Sequence, residues 1–200
     1  MLQTIKRAIR HVTIERSYER YYSSNGWDKD WSNGYALDKP KEDARYGCLI
    51  ALMRRYERSG PILDVGCGDG LLEEWYRQVS ETRVIAFDYS AAAIEKAKDR
   101  GVRDAEFFCA DSRTFTSPER YPLIVFNESL CYLDDFRDAM ERYSGMLTTG
   151  GVFLISLFDT LVTRRIWRGL AHAYEQADQV TVRHGSTGCV WNIRVMRPRI

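Results

Sequence analysis

The segment Leu63-Asp64-Val65-Gly66-Cys67-Gly68-Asp69-Gly70 holds residue types suited to gripping a small ligand. An apolar run ends near a carboxylate and enters three alternate glycines where a helical pattern begins. Glycine supplies backbone with positive φ and lets a ligand approach where a Cβ would otherwise stand. A dinucleotide fingerprint needs G-x-G-x-x-G/A, and from Gly66 its third small residue falls on Leu71, which is too large for close helix packing. No Lys, Arg, Ser or Thr lies in the loop to grip a phosphate. Two more carboxylates, Asp88 and Asp111, also end apolar runs. One glycine turn beside an Asp equally describes a helix cap, but acids ending three successive strands share the sheet edge where open α/β sheets bind ligands.

Hydrophobic periodicity predicts the elements that position these groups. Short apolar runs at 62–65, 83–87, 105–109, 123–126 and 152–158 alternate with helical patterns at 71–79, 91–100, 112–116 and 134–147. Such alternation predicts a parallel sheet covered on both faces. Two further runs, 179–184 and 189–196, flank Gly185-Ser186-Thr187-Gly188 as a hairpin would. The expected fold is α/β, a three-layer sandwich around a seven-stranded, mostly parallel sheet with an antiparallel C-terminal hairpin. Ahead of it, Pro40 opens a helix to about Arg58, with Tyr46, Leu49, Ile50, Met53 and Tyr56 on one stripe and Ser59-Gly60-Pro61 as its stop. Residues 1–14 are basic, with Leu2, Ile5, Ala8, Ile9 and Val12 at helical spacing. They read as a docked N-terminal helix rather than a targeting segment, because Glu15 and Glu19 follow and no cleavage pattern appears. Tyr18, Tyr21, Tyr22, Trp27, Trp31 and Tyr35, interleaved with Asn25-Gly26 and Asn33-Gly34, describe a structured cap. The 200 residues thus form one domain: a helical N-terminal cap at 1–60, a cofactor-binding core at 61–158, and a substrate lid with the hairpin at 159–200.

Composition narrows the partners. Lys+Arg total 29 against 28 Asp+Glu, a net charge of +1, which argues against a dedicated nucleic-acid binder. The apolar run at 152–158 is far short of the ~20 residues of a membrane helix. Cys48, Cys67, Cys109, Cys131 and Cys189 contain no C-x-x-C pair and fit reduced thiols of a cytoplasmic protein. A small-molecule partner is expected, with no nucleic acid, no membrane and no metal, in a monomer or homodimer.

The G-x-G-x-G loop with Asp64 before it resembles motif I of the Rossmann-like, class I S-adenosylmethionine-dependent methyltransferases, and the likeness extends over about 61–158. Asp88 stands 24 residues after Asp64, where the family places the acid that binds both ribose hydroxyls, and a carboxylate has two acceptor oxygens for a diol. Asp111 stands where the family binds the adenine amino group, Asn127-Glu128-Ser129-Leu130 where it has motif IV, and Gly150-Gly151 at its usual turn before strand five. The resemblance implies S-adenosylmethionine as cofactor. It further implies that Asp64 acts through water or backbone on the methionine ammonium and that Gly66, Cys67 and Gly68 present backbone to the carboxylate side. Tyr89, Ser112 and Asn127 complete the implied cofactor set. Arg45 either pairs with that carboxylate or is a surface residue. Asp69 reads as a helix cap, and Glu73 and Glu74 as first-turn acids favoured by the helix dipole.

Motif IV and the cap set the methyl acceptor. Enzymes that methylate the amino group of nucleic-acid adenine typically show Asn-Pro-Pro-Tyr at motif IV, whereas Glu128-Ser129 replace both prolines here. Tyr22, Trp27, Glu42 and Arg45, together with Asn127 through Asp134, resemble the NodS-like methyltransferases, which N-methylate an amino sugar of a chito-oligosaccharide; Cys131 replaces their first Tyr after the Glu. The implied reaction is methyl transfer to N or O of a small polar metabolite, a sugar or an amine first. Glu128 either takes the acceptor proton or accepts backbone amides at the next helix start, and Tyr132 orients the acceptor. His172, with Arg164, Arg165, Trp167 and Arg168 on a segment placed to close over the acceptor, is an alternative base, whereas His11 and His184 are assigned no role. Tyr22, Trp27 and Trp31 either wall the acceptor site or pin the cap to the core. The rivals are a non-catalytic S-adenosylmethionine-binding partner protein, a methyltransferase acting on a macromolecule, and a nicotinamide-dependent oxidoreductase.

Overall fold

The computed structural model describes residues 26–35, 41–133 and 135–199. The apolar runs form strands β1 (Ile62–Val65), β2 (Val84–Asp88), β3 (Ala105–Cys109), β4 (Tyr121–Asn127) and β5 (Leu147–Phe158), followed by β6 (Tyr174–Arg183) and β7 (Val190–Pro198). Helices α1 (Gly26–Ser32), α2 (Asp43–Tyr56), α3 (Leu71–Arg77), α4 (Ala91–Asp99), α5 (Phe136–Ser144) and α6 (Leu161–Ala173), with a 3₁₀ turn at Leu130–Tyr132, complete the described chain. One seven-stranded sheet results, in the order β3-β2-β1-β4-β5-β7-β6. β1 to β5 pair in parallel, β7 joins β5 antiparallel with Trp191 opposite Phe158, and β6 joins β7 antiparallel. This is the expected Rossmann-like fold.

Strand alternation builds two cores. Leu63, Val65, Phe87, Phe126 and Phe153 face α5 and α6, while Ile62, Ala86, Val125 and Leu154 face α2, α3 and α4. Strand order reverses between β1 and β4, which opens a crevice at their C-terminal ends. Polar side chains fix the helices that flank it. The Ser90 hydroxyl accepts from Ala93 N at the start of α4, and the Asp135 carboxylate accepts from the amides of Arg137 and Asp138 at the start of α5. Thr160 and Thr163 cap α6 reciprocally.

Three expected elements differ. Residues 112–116 form a turn and not a helix, because the Asp111 side chain takes Arg113 N while its carbonyl takes the amides of Thr114 and Phe115. The helix expected to reach 147 stops at Ser144, and β5 begins at Leu147 because Leu147 pairs with Tyr121. Gly150-Gly151 therefore lies inside β5, at the register shift between Tyr121 and Leu123, with Gly150 at φ +75°. Within 159–200, the segment expected ahead of the hairpin is α6 followed directly by β6, so the hairpin is longer than its apolar core suggested. His11, Tyr18, Tyr21, Tyr22 and Asp134 lie outside the described residues.

Candidate active site

The loop after β1 is shaped by a close crossing with the loop after β4. Gly66 has φ +82°, and a Cβ on it would stand 2.5 Å from Ser129 Cβ. The Ser129 hydroxyl donates to the Val65 carbonyl and ties the two loops. Gly68 N donates to Asp88 Oδ2 at 3.0 Å, and Ser90 N donates to Asp88 Oδ1 at 2.9 Å. Each Asp88 oxygen keeps a further lone pair, so two parallel acceptors remain at the end of β2. Burial pushes the Asp88 carboxyl above its ordinary value, and the Ser90 and Gly68 amides pull it back.

Glu128 follows β4 with φ +59°, a left-handed conformation that strains a residue with a side chain. That backbone aims its carboxylate at the end of β5, where Oε1 accepts from the Ser156 hydroxyl at 2.9 Å and Oε2 from Phe158 N at 2.8 Å. Burial raises the Glu128 carboxyl to about 7, against the opposing pull of Arg45. Arg45 rises from α2 as a buried side chain and not a surface one. Its guanidinium donates to Glu42 Oε2 at 2.9 Å and to Asn127 Oδ1, and lies 4.6 Å from the Tyr46 ring centroid.

A wall of rings covers these polar groups. α1 is pinned to α4 by Asp28, which accepts from the Ser90 hydroxyl and Ala92 N, and by Lys96 Nζ, which donates to the Trp31 carbonyl at 2.7 Å. So anchored, Trp27 meets Tyr132 edge-on at 5.1 Å, and Trp31 meets Tyr35 at 4.9 Å. Opposite stand Tyr46, Phe158 and Trp191, the last two at 5.5 Å from one another. α1 is thus pinned to α4, and its Trp27 and Trp31 line the cavity beneath it.

These groups enclose a cavity of about 310 Å³, the size of a small-molecule site. Of the residues expected from sequence, it is lined by Trp27, Trp31, Arg45, Gly66, Gly68, Asp88, Tyr89, Ser112, Asn127, Glu128 and Tyr132. Four others are not brought to it. Asp64 is buried in β1 ahead of the loop, and the Cys67 side chain is buried within it. Asp111 is turned into a pair with Arg113, at 2.6 Å from its Nη2, and that cation holds its carboxyl below the ordinary range. His172 lies on the exposed face of α6. Arg164 is likewise drawn away, onto Asp159 at 2.6 Å. Tyr22 falls outside the described residues. Asp69 does not cap α3, since it pairs with Arg100 at 2.8 Å and Gly70 takes the cap position.

The sequence reading missed Tyr35, Glu42, Tyr46, Phe158 and Trp191 as site residues. Trp191 had no local signal, because only the antiparallel return of β7 beside β5 carries it to Phe158. Glu42 and Tyr46 had one: they flank Arg45 on the helix expected before β1.

The arrangement fits S-adenosylmethionine on its own geometry: a glycine cradle that a Cβ would fill, and a paired acceptor at the end of β2 that suits a diol. A methyltransferase-domain family model matches residues 41–191. The chain is 26% identical over 135 residues to a malonyl-[acyl-carrier protein] O-methyltransferase of Bacillus anthracis, 66% of this chain and 50% of that protein. It is 33% identical over 114 residues to an uncharacterized methyltransferase of Mycobacterium tuberculosis, 56% of this chain and 55% of that protein. It spans about half the length of the curated relatives it matches. In structure it is similar to the N-methyltransferase NodS from Bradyrhizobium japonicum bound to S-adenosylhomocysteine, with TM-score 0.71 and 24% identity over 92% of this chain and 98% of that one. The chain belongs to the class I methyltransferase-domain family, for which S-adenosylmethionine is the methyl donor.

Proposed function

We propose that the protein transfers a methyl group from S-adenosylmethionine to a nitrogen or oxygen of a small polar metabolite, with an amine or amino sugar first, and that Glu128 takes the acceptor proton. The observation that carries this reading is Glu128 itself, a carboxyl raised to about 7 on the wall of a ring-lined cavity. A base with that value is half ionised at neutral pH and matched to proton removal there. The bound cofactor supplies an electrophilic methyl on a sulfonium. Gly66 and Gly68 give it backbone, Asp88 takes the ribose hydroxyls, and Tyr89, Ser112 and Asn127 border it. Arg45, bound to Glu42 and Asn127, orders the floor between the donor and acceptor halves.

On the acceptor side, Trp27, Trp31 and Tyr132 offer ring faces to sugar C–H surfaces or an ammonium. The buried Tyr46 hydroxyl lies beside Arg45 and Asn127, which draw on its oxygen and leave its proton for an acceptor oxygen. The test is a metabolite screen for release of S-adenosylhomocysteine, followed by kinetics of Glu128→Gln on the best acceptor. Turnover should fall about 10²- to 10⁴-fold with unchanged cofactor affinity. Wild-type turnover in the variant removes Glu128 from the mechanism.

A second reading, an acceptor borne by an acidic carrier, is favoured by α6. It presents Arg164, Arg165 and Arg168 outward, and among the described residues only Arg164 has an acidic partner. The Bacillus relative is named for a carrier-protein substrate. Arg165→Glu/Arg168→Glu should then raise KM for a carrier-bound acceptor and leave KM for a free one unchanged.

A further inference from the structure

Two buried acids beneath the glycine loop take no part in the site as described. Asp64 is fully buried on the face of β1 opposite Leu63 and Val65, between Ala86 of β2 and Val125 of β4. Glu73 is only 1% exposed in the first turn of α3, the helix whose Leu72 and Tyr76 cover that face. Its place in the first turn, where the helix dipole favours an acid, does not by itself account for a carboxylate sealed from water. Among the described residues none of the four carboxylate oxygens has a hydrogen bond of ordinary geometry, and only the backbone amides of Val65 and of Glu73 itself draw on them. The nearest cation, Arg100, spends its guanidinium on Asp69 and Glu74. The other titratable groups facing the pair are Cys67, Asp69 and Asp88, none of them basic.

Two ionised carboxylates are acceptors only and cannot bond to one another, and a dry layer does not sustain both charges. Burial and the charges of Glu73 and Asp88 hold Asp64 well above the carboxylate range, and burial raises Glu73 while Asp64 draws it down. One proton held between them removes one of the two charges.

We propose that Asp64 and Glu73 share one proton and that this bond staples the base of the cofactor loop. The two residues stand at either end of the segment 66–70, one on β1 and one on α3, so a bond between them closes that segment where it leaves the sheet and enters the helix. The pair then carries a single charge. It acts on the cofactor through the loop it holds, and Asp64 and Glu73 are positioning residues.

The test is calorimetric affinity for S-adenosylhomocysteine from pH 6 to 9 on the full chain. Wild-type affinity should fall at alkaline pH, toward a limit of about tenfold per pH unit as the shared proton is lost. Glu73→Gln keeps a donor facing Asp64 without a titrating proton. It should bind within about threefold of wild type at neutral pH and lose the alkaline fall, whereas Glu73→Leu, which removes the bond, should bind about tenfold more weakly. Superimposable pH profiles for wild type and Glu73→Gln overturn the proposal, as does a Glu73→Gln variant as weak as Glu73→Leu. Should Glu73→Leu not fold, thermal unfolding of wild type against Glu73→Gln decides. The folded wild type keeps a proton that the unfolded chain releases above about pH 4, so its Tm relative to Glu73→Gln must fall as pH rises beyond that value, the other carboxyls cancelling in the difference, and a rising or flat difference overturns the staple.

Discussion

Gly66→Ala tests the crossing of the β1 and β4 loops on which the cofactor cradle depends. The new Cβ would stand 2.5 Å from Ser129 Cβ, where carbon atoms ordinarily meet at about 3.5–4.0 Å, so at least one loop must move by roughly 1 Å. The backbone at φ +82° adds about 1–2 kcal/mol of left-handed strain for a residue with a side chain. Forced overpacking adds about 1–3 kcal/mol. Together the variant should lose about 2–5 kcal/mol, a fall in Tm of about 4–20 °C for a chain of this size. The two contributions separate in a double-mutant cycle with Ser129→Gly, which removes the atom that is struck but leaves the backbone strain. Ser129→Gly alone also loses the bond to the Val65 carbonyl, a cost of about 1 kcal/mol that the cycle subtracts. The coupling read from thermal or denaturant unfolding should be favourable by about 1–3 kcal/mol. Additivity within about 0.5 kcal/mol would falsify the steric account and leave φ alone as the reason for glycine.

The remaining predictions concern binding and turnover. Asp88→Ala should weaken S-adenosylhomocysteine by about 1.5–3 kcal/mol, measured by calorimetry, and an unchanged affinity refutes the ribose assignment. For the acceptor found by screening, kcat/KM should rise with pH through about 7 as Glu128 loses its proton and then level off, while Glu128→Gln should show no such rise. Persistence of that rise in the variant assigns the titration to another group. Trp27→Ala removes the edge contact with Tyr132 and should raise acceptor KM while leaving S-adenosylhomocysteine affinity within about twofold; equal losses in both would make α1 a structural support rather than an acceptor wall.

Local pattern carried most of the core. Apolar runs between glycines and helical stripes gave five parallel strands in place, because a strand covered on both faces has little choice but to be apolar throughout. The boundaries that slipped are those set by a partner. β5 begins early because Leu147 pairs with Tyr121, and the expected helix at 112–116 yields to the turn that Asp111 makes with Arg113. Among site residues, those on strand ends were readable from type and position, as with Gly66, Asp88 and Glu128.

The sequence by itself determined the sheet, the glycine loop and the family, since these depend on residue type at spacings within about thirty residues. Only the tertiary structure decided which polar groups reach the cavity. Asp64, Asp88 and Asp111 look alike in sequence, yet one is sealed under α3, one faces the crevice, and one is drawn off by Arg113. Glu73 read only as a first-turn acid favoured by the helix dipole, and it is among the most buried residues. Trp191 reaches Phe158 only through the return of β7. The reason is physical: a strand or helix fixes where a side chain leaves the backbone, but burial, neighbouring charge and the available partner settle what that group can bind and whether it holds a proton.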